Sequence, residues 1–334
     1  MQIIADPIDR RVLDDWQRNF PLLKRPFAVI AEAVGIDEAD LLDRLERMKS
    51  VGRISRVGAT CAPNTVSAST LAAMAVPTGR LEQVVAIING EAGVNHSYLR
   101  EDEWNLWFVA TGPDRAHIDA MLARISWRTR LEVLDLPLLR PFNIDLGFRM
   151  SRNGDANQRP MAPPRHADIS AMRPGDTDIL QALTTGMPIV AHPFAEIATA
   201  VNRPEATIIA RVAALQQAHI IARLGVIVRH RALGWTSNAM VAWDLPSKVI
   251  STVGPRLAAL PGVTLCYERR PVAGKWPYRL FNMIHARSRN EARKVLAAAR
   301  ALPELADARH KVLFSTQCFK QTGAMITAAP GAPA

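Results

Sequence analysis

Residues 26–58 read PFAVIAEAVGIDEADLLDRLERMKSVGRISRVG, and residues 193–225 read PFAEIATAVNRPEATIIARVAALQQAHIIARLG. A shift of 167 residues relates the two stretches without a gap, and the same shift aligns all of 9–58 with 176–225. Sixteen of these 50 positions are identical, whereas unrelated sequences of average composition would share roughly three. The chain therefore contains an internal duplication, and we expect both copies to fold in the same way.

Each copy begins with a pattern typical of three short helices followed by a strand. In the first copy Gly35 can end the second helix, and Asp37 can cap the third. Apolar residues recur at helical spacing in the third helix, and GRISRVGAT (52–60) is then typical of a turn and a strand. Three helices and a β wing indicate a winged helix-turn-helix unit. The helical patterns of the first copy lie near 9–18, 26–34 and 37–49.

The second part of each copy alternates strands and helices in the order βαββαβ, which is the ferredoxin-like unit. GVNHSYLR (93–100) aligns with GVTLCYER (262–269), so the duplication continues beyond the helices. The first copy has predicted strands near 69–76, 94–100, 106–111 and 130–136, with helices near 79–89 and 114–123. The second copy has predicted strands near 239–245, 264–269, 279–285 and 308–315, with helices near 247–259 and 289–301.

The predicted fold is therefore α+β, a tandem duplication of a winged helix-turn-helix unit plus a ferredoxin-like βαββαβ domain. The stretch SRNGDANQRPMAPPRHADIS (151–170) has no counterpart in the repeat and is polar and proline-rich, which is typical of a linker. The predicted boundaries are 1–62 and 63–150 for the two units of the first copy, 151–172 for the linker, and 173–234 and 235–326 for the second copy.

The composition favours a protein of the cytoplasm with an anionic partner. The chain has 334 residues, of which 49% are hydrophobic, and a formal net charge of +10. Such a charge favours nucleic acid, a membrane surface or a polyanionic small molecule, or it serves only solubility. No apolar run approaches the ~18 residues of a membrane span, and the N-terminus lacks a signal-peptide pattern, so we expect no membrane partner. Cys61, Cys266 and Cys318 form no CxxC pair and no disulfide framework, which fits a reducing compartment.

The order of the two units resembles the Lrp/AsnC transcription regulators, which implies DNA binding and ligand sensing. The third helix of the first copy argues against DNA, because 37–49 carries five acidic and three basic residues. A helix in the major groove faces phosphates, and most such helices are basic or neutral. Its counterpart PEATIIARVAAL (204–215) is alanine-rich and offers little for reading bases. DNA is therefore the less favoured partner.

Several stretches resemble a narrower family of that architecture, the siroheme decarboxylases. The first copy resembles their D-type subunit and the second their L-type subunit, so the chain resembles a fused D–L form. The run WPYRLFNMIH (276–285) is the most specific part. The stretches that carry the resemblance are GRISRVGA (52–59), GVNHSYLREDEWNLWFV (93–109), RPFNIDLGF (140–148), ARLGVIVRHRALGWTSNAMVAW (222–243), VTLCYERRPVAGKWPYRLFNMIHA (263–286) and VLFSTQCFKQTG (312–323).

This resemblance implies an enzyme, a carboxy-lyase that converts two acetate side chains of siroheme into methyl groups. The product is didecarboxysiroheme, an intermediate of haem d1 biosynthesis. No cofactor is implied beyond the iron-containing substrate, and no metal site of the protein's own. Related decarboxylase subunits or further copies of the chain are the implied partners. Two alternatives stay open: a DNA-binding regulator that senses a tetrapyrrole, and an inactive subunit that needs a second chain.

The chemistry of that reaction points to two histidines. Loss of carbon dioxide from an acetate leaves a carbanion that needs a proton, and histidine is the natural donor near neutral pH. His285 ends a predicted strand in the most specific run, where it either donates the proton or approaches the iron; His96 shares a predicted strand face with Tyr98. The repeat has Thr111 and Leu265 at the equivalent positions, so each copy supplies a different histidine. We predict His285 and His96 as catalytic residues of one site between the copies, with purely structural roles as the alternative.

Siroheme is planar and ringed by carboxylates, so its site needs flat apolar walls and cationic side chains. Arg56 and Arg223 fall at identical repeat positions, where they either clamp carboxylates or form a salt bridge within their own unit. His219 and His230 flank the second wing and rank lower as candidates. The other predicted substrate-binding residues, whose alternative use is core packing or a solvated sheet face, are Tyr98, Arg100, Tyr267, Arg269, Lys275, Trp276 and Tyr278.

Overall fold

The structure of this protein is a computed structural model that describes residues 6–143 and 166–328. Most of the predicted linker, 151–172, lies outside the described residues. The helices are α1 (Pro7–Asp15), α2 (Pro26–Val34), α3 (Glu38–Ser50), α4 (Leu81–Asn89), α5 (Arg115–Thr129), α6 (Asp176–Thr185), α7 (Pro193–Ala200), α8 (Glu205–Gln217), α9 (Ser247–Ala258) and α10 (Arg289–Arg300). The strands are β1 (Ile54–Cys61), β2 (Ala68–Met74), β3 (Val94–Arg100), β4 (Leu106–Gly112), β5 (Leu134–Asn143), β6 (Ile221–Val228), β7 (Ser237–Trp243), β8 (Val263–Arg269), β9 (Leu280–Ala286) and β10 (His310–Gln321).

The duplicated three-helix units explain several of the identical positions in the repeat. Proline begins α2 and α7, where its missing N–H costs nothing, and Gly35 ends α2 in the left-handed conformation. Arg44 forms an ion pair with buried Asp9 at 3.0 Å. Arg211 repeats it with buried Asp176 at 2.7 Å. Each pair joins the third helix of its unit to the first, so these two identities of the repeat are structural.

The strands β1 and β6 do not form separate wings. They pair with each other in an antiparallel ribbon, in which Gly58 lies opposite Gly225. These glycines occupy the same repeat position, so a local two-fold axis passes between them. A Cβ at Gly58 would collide with the Leu183 carbonyl at the end of α6, and a Cβ at Gly225 would collide with the Trp16 carbonyl beyond α1. Each copy therefore needs a glycine at this strand position, because the first helix of the other copy ends against it.

The two ferredoxin-like units merge into one closed barrel with the strand order β10-β3-β4-β2-β5-β8-β9-β7. The last strand of each copy leaves its own sheet: β5 pairs with β8, and β10 pairs with β3. Both strands are longer than their predicted ranges, 130–136 and 308–315, because their second halves pair with the other copy. Helices α4 and α5 pack on the outside of one half of the barrel, and α9 and α10 on the other.

A pair of equivalent arginines seals the two junctions of the barrel. Arg100 on β3 donates to the Leu313 carbonyl on β10 at 3.1 Å, and Arg269 on β8 donates to the Leu136 carbonyl on β5 at 2.8 Å. Inside the barrel the fully buried Trp276 contacts Trp107, with ring centres 5.1 Å apart. Within the described residues no helix is long and apolar enough to cross a bilayer.

Gly58→Ala tests the close approach between the copies. We expect this change to lower the free energy of unfolding by about 1–3 kcal/mol, because the new methyl group must push a backbone carbonyl out of a packed interface. Gly79→Ala is the matched control, since a Cβ at Gly79 meets nothing within 4 Å. Chemical denaturation of both variants measures the difference, and equal stability would contradict this packing.

Candidate functional site

A cavity of about 290 Å³ lies between the β1–β6 ribbon and the interior of the barrel. Both copies contribute to its wall, so it lies between them and not within either one. Its apolar surface comes from side chains of several barrel strands. These are Leu71, Trp107, Phe108, Val109, Met240, Leu265 and Met283.

Three arginines line the cavity: Arg56, Arg100 and Arg223. None of the lining residues in the described part of the chain is Asp or Glu. Burial and the neighbouring Arg223 lower the pKa of Arg56 to about 10. Burial also lowers the pKa of Arg100 to about 10. These guanidinium groups remain charged at neutral pH, so the cavity concentrates positive charge that an anionic ligand would stabilise.

Three histidines face the same space: His96 from β3, His230 just after β6, and His285 from β9. The rings of His230 and His285 meet edge to face with centres 4.3 Å apart. His285 Nε2 lies 2.8 Å from Asn238 Nδ2, and its Nδ1 lies 2.7 Å from Thr264 Oγ1. His96 stacks on Tyr98 with ring centres 6.3 Å apart. The arrangement places imidazoles from both copies around one space.

The histidines are neutral in the empty cavity. Burial, followed by the charge of Arg56, lowers the pKa of His96 to about 4. Burial and then Arg231 lower the pKa of His230 to about 3. Burial, then His230 and Arg100, hold the pKa of His285 well below its usual value. Burial raises the pKa of Tyr98, so this phenol is also neutral.

The segment that follows β10 completes one side of the cavity. Gln321 and Thr322 line it, and the Thr322 N–H donates to the Asn95 carbonyl at 2.8 Å. Farther along, the Ile326 N–H donates to Gln181 Oε1 of α6 at 2.7 Å. This C-terminal stretch therefore joins the barrel half of the first copy to the helices of the second.

The structure brings together seven of the eleven residues predicted for the site. His96, Tyr98, Arg100 and Arg56 line the cavity from the first copy, and Arg223, Tyr267 and His285 line it from the second.

Four predicted residues lie outside the cavity wall. Arg269 seals the barrel beside the Tyr267 ring, and Lys275 is exposed and paired with Glu132. Trp276 is fully buried and packs against Tyr278, because the turn after β8 folds back into the barrel. These aromatic rings form a layer behind Trp107 instead of facing the cavity.

Comparison with known proteins places this chain in a family. The family model of the siroheme decarboxylase NirDL-like HTH domain matches residues 9–54 and 176–221, and that of the AsnC-like ligand binding domain matches 66–143 and 232–320. The siroheme decarboxylase NirDL subunit of Paracoccus denitrificans is 53% identical over 321 residues, which cover 96% of this chain and 98% of that protein. The chain belongs to the siroheme decarboxylase family.

Two further members of the family are similar to this chain, one over less than half of its length and one over nearly all of it. The siroheme decarboxylase NirD subunit of Stutzerimonas stutzeri is 51% identical over 143 residues, which cover 43% of this chain and 94% of that subunit. A crystal structure of the siroheme decarboxylase NirDL in co-complex with an iron-uroporphyrin III analogue covers 95% of this chain and 92% of its own, with a TM-score of 0.63 and 25% identity. The family thus contains NirD and NirL subunits as separate chains beside the NirDL subunit.

Sequence reasoning ranked His230 low and missed Asn238 and Thr264. The signal for Asn238 is an amide directly before the apolar run AMVAW (239–243), in a strand β7 whose residues are all buried. His230 gave no such signal, because its approach to His285 depends on how the ribbon meets the barrel. Within 6–143 and 166–328, no group of three or more His, Cys, Asp or Glu side chains could hold a metal ion.

The lowered histidine pKa values predict acid sensitivity of the ligand-free protein. Between pH 6.5 and about 4, His96 takes up a proton in the unfolded chain but not in the folded protein. Stability is therefore full above pH 6.5 and falls as the pH drops through this window, by about 1.4 kcal/mol for each unit of pKa difference. His96→Leu, which copies Leu265 of the repeat, should make the melting temperature less dependent on pH in this range.

The control is His117→Leu, because His117 lies on α5 outside the cavity, in an exposed pair with Asp114. Melting curves from pH 4 to 8 compare the three proteins. If His96→Leu and His117→Leu behave alike, His96 does not carry this pH dependence.

Proposed function

We propose that this protein decarboxylates siroheme, and that the cavity between the two copies is where the reaction occurs. Family membership supports the reaction, in which two acetate side chains become methyl groups and didecarboxysiroheme is formed for haem d1 biosynthesis. The observation that carries the assignment to the cavity is its charge. Three buried or half-buried arginines line it, and none of its described lining residues is a carboxylate.

The charge imbalance matters because desolvated cations destabilise a fold unless an anion compensates them. Arg56 donates only one long hydrogen bond, of 3.4 Å, to the Ala59 carbonyl, and its Nε has no partner among the described residues. Arginine binds carboxylates through two parallel hydrogen bonds, which gives orientation as well as affinity. Arg56 and Arg223 extend from paired strands on either side of the local axis, so they suit a ligand with carboxylates around its rim.

The apolar part of the wall suits the flat face of a macrocycle. Leu71 and Met240 are equivalent positions of β2 and β7, and Val109 and Met283 are equivalent positions of β4 and β9. All four line the cavity, with Trp107 beside them. A tetrapyrrole would bury its apolar face against this surface while its carboxylates reach the arginines. The iron enters with the substrate.

The reaction at each acetate balances without an external oxidant or reductant. The bond between the methylene carbon and the carboxylate carbon breaks, carbon dioxide leaves, and the electron pair stays on the methylene carbon. The conjugated macrocycle can delocalise that charge. Transfer of one proton to the carbon completes the methyl group, so two acetates consume two protons.

The proton donor is an imidazole, for which we propose His285, with His96 orienting the substrate. At neutral pH the empty cavity holds neutral histidines, which cannot donate as imidazolium. A carboxylate that enters within ~4–6 Å favours the charged form of a histidine. Substrate binding would therefore favour protonation of His285, so protonation and binding are coupled.

The regulator alternative rests on the helix-turn-helix units, and their charges do not favour it. Arg44 of α3 and Arg211 of α8 are engaged by Asp9 and Asp176 inside their own units. Neither arginine is then available to a phosphate backbone. In both units the first helix instead ends against the strand of the other copy, at Gly225 and Gly58.

Arg56→Met tests the carboxylate clamp. We expect the ligand-free variant to melt no lower than the wild type, because a buried cation beside Arg223 is removed. The rise in melting temperature that saturating siroheme causes should shrink, because binding energy is lost. Arg11→Met is the control, since Arg11 lies in an exposed pair on α1. A variant that melts lower without ligand but gains the full rise with siroheme would contradict the clamp, as would an esterified siroheme that binds as tightly as the free acid.

His285→Ala tests the proton donor. We expect the single-turnover rate with saturating siroheme to fall by roughly 10²–10⁴, the range for loss of a general acid, while binding changes much less. The rate is followed anaerobically by the mass of the product. His117→Ala is the matched control outside the cavity.

A normal rate in His285→Ala together with a collapse in His96→Ala would move the donor to the first copy. If the wild type bound siroheme and left its mass unchanged, the proposed reaction itself would be wrong.

A further inference from the structure

We propose that Thr264 and Asn238 are positioning residues that confine proton exchange of His285 to Nε2 and keep that nitrogen unprotonated until an anion enters the cavity. The proposal rests on the function proposed above for His285, but it concerns hydrogen bonds that exist in the ligand-free protein. In this role Thr264 and Asn238 act on the reaction only through the imidazole ring of His285.

The hydrogen bonds of Thr264 select the tautomer of His285. The hydroxyl of Thr264 donates to the Met283 carbonyl at 3.1 Å, which uses its only hydrogen. With this donation, Thr264 Oγ1 accepts a hydrogen bond from His285 Nδ1, 2.7 Å away. A neutral imidazole with its hydrogen on Nδ1 has a lone pair on Nε2. The strand β8 thus fixes which nitrogen exchanges the proton.

The tautomer of His285 in turn determines which end of the Asn238 amide faces the ring. Because His285 Nε2 carries a lone pair, the group 2.8 Å away must be the amide NH₂ of Asn238. The same NH₂ lies 3.4 Å from His230 Nε2, so its two hydrogens face two imidazoles. Asn238 Oδ1 is buried and has no hydrogen-bond partner among the described residues. One amide therefore holds both rings in the neutral state and leaves its own acceptor unused.

Protonation of His285 reverses this arrangement. A new Nε2–H would point at the amide hydrogens, and a half turn of the amide about its Cβ–Cγ bond would present Oδ1 as the acceptor. The titratable and charged groups that lower the pKa of His285 from neighbouring elements are His230, Arg100 and Arg231, and none of them carries a negative charge. An amide oxygen stabilises a positive charge weakly, so the proton is held loosely enough to be transferred to the carbanion.

The repeat provides an independent sign that this group is dedicated to His285. Strand pairing places Asn238 opposite His285, and it places Ser69 opposite Thr111 at the equivalent positions of the first copy. The equivalent of Thr264 is Asn95. The copy without the histidine therefore lacks both partners, although its backbone is arranged in the same way.

The test uses ¹⁵N-histidine NMR of the full-length, ligand-free protein. In the wild type we expect the His285 signals of the Nδ1–H tautomer, identified by their loss in His285→Gln. Thr264→Val, which preserves shape but cannot accept, should increase the Nε2–H tautomer, and Thr264→Ser should restore the wild-type pattern. Asn238→Asp should raise the pKa of His285 by about one to three units, because a carboxylate replaces the amide.

Single-turnover rates provide the second readout. The pH profile for siroheme decarboxylation should shift upward in Asn238→Asp, and Thr264→Val should lose about tenfold in rate with recovery in Thr264→Ser. Asn282→Asp is the control, because Asn282 is equally buried on β9 but hydrogen-bonds Trp243. Unchanged tautomer and pKa in both Thr264→Val and Asn238→Asp would overturn the inference. The expected NMR result in a protein that leaves siroheme unreacted would instead refute only the proposed function.

Discussion

An open ferredoxin-like sheet exposes two unpaired edges, and this fold depends on each copy closing the edges of the other. The last strand of each copy, β5 or β10, is long enough to finish its own sheet and then pair with the second strand of the other copy. Arg100 and Arg269 seal the two junctions through equivalent carbonyls, of Leu313 and Leu136. Closure satisfies backbone groups that would otherwise face water or another chain. It also creates an enclosed interior, which neither copy has alone.

The position of the cavity follows from the same symmetry, but its chemistry does not. The axis between Gly58 and Gly225 places Arg56 and Arg223 on two sides of one space, as equivalent positions must be. The histidines break the symmetry, because His96 and His285 belong to one copy each. Duplication thus supplies a frame with paired cations, and divergence within it allows one copy to carry the His285 group while the other keeps small polar side chains.

The sequence was sufficient for the fold class because its signals are local and repeated. Helix caps, the βαββαβ order and the shift of 167 residues all act within one copy. The pairing of β1 with β6 and the lengths of β5 and β10 depend on contacts between copies, which leave no periodic pattern. Arg269, Trp276 and Tyr278 show the same limit at the site. Their residue types suit a tetrapyrrole, yet Arg269 seals the junction of β8 with β5, and the turn after β8 directs Trp276 and Tyr278 into the barrel. Only the three-dimensional packing separates these residues from Tyr267 and Arg100.

The buried positive charge links the stability of the fold to the protonation of the histidines. Burial of Arg56 and Arg100 without carboxylates in the cavity wall is unfavourable. Burial, with the charges of nearby arginines as the smaller cause, lowers the pKa of His96 and His285. An anionic ligand would change both with one set of contacts. Its negative charge would neutralise the buried charge of the arginines and raise the pKa of the histidines. A cavity that already contained Asp or Glu would be more stable when empty, but its histidines would be protonated before any substrate arrived. On the mechanism we propose, the unbalanced site would give up some stability of the ligand-free protein for a histidine that is protonated only when a carboxylate is present.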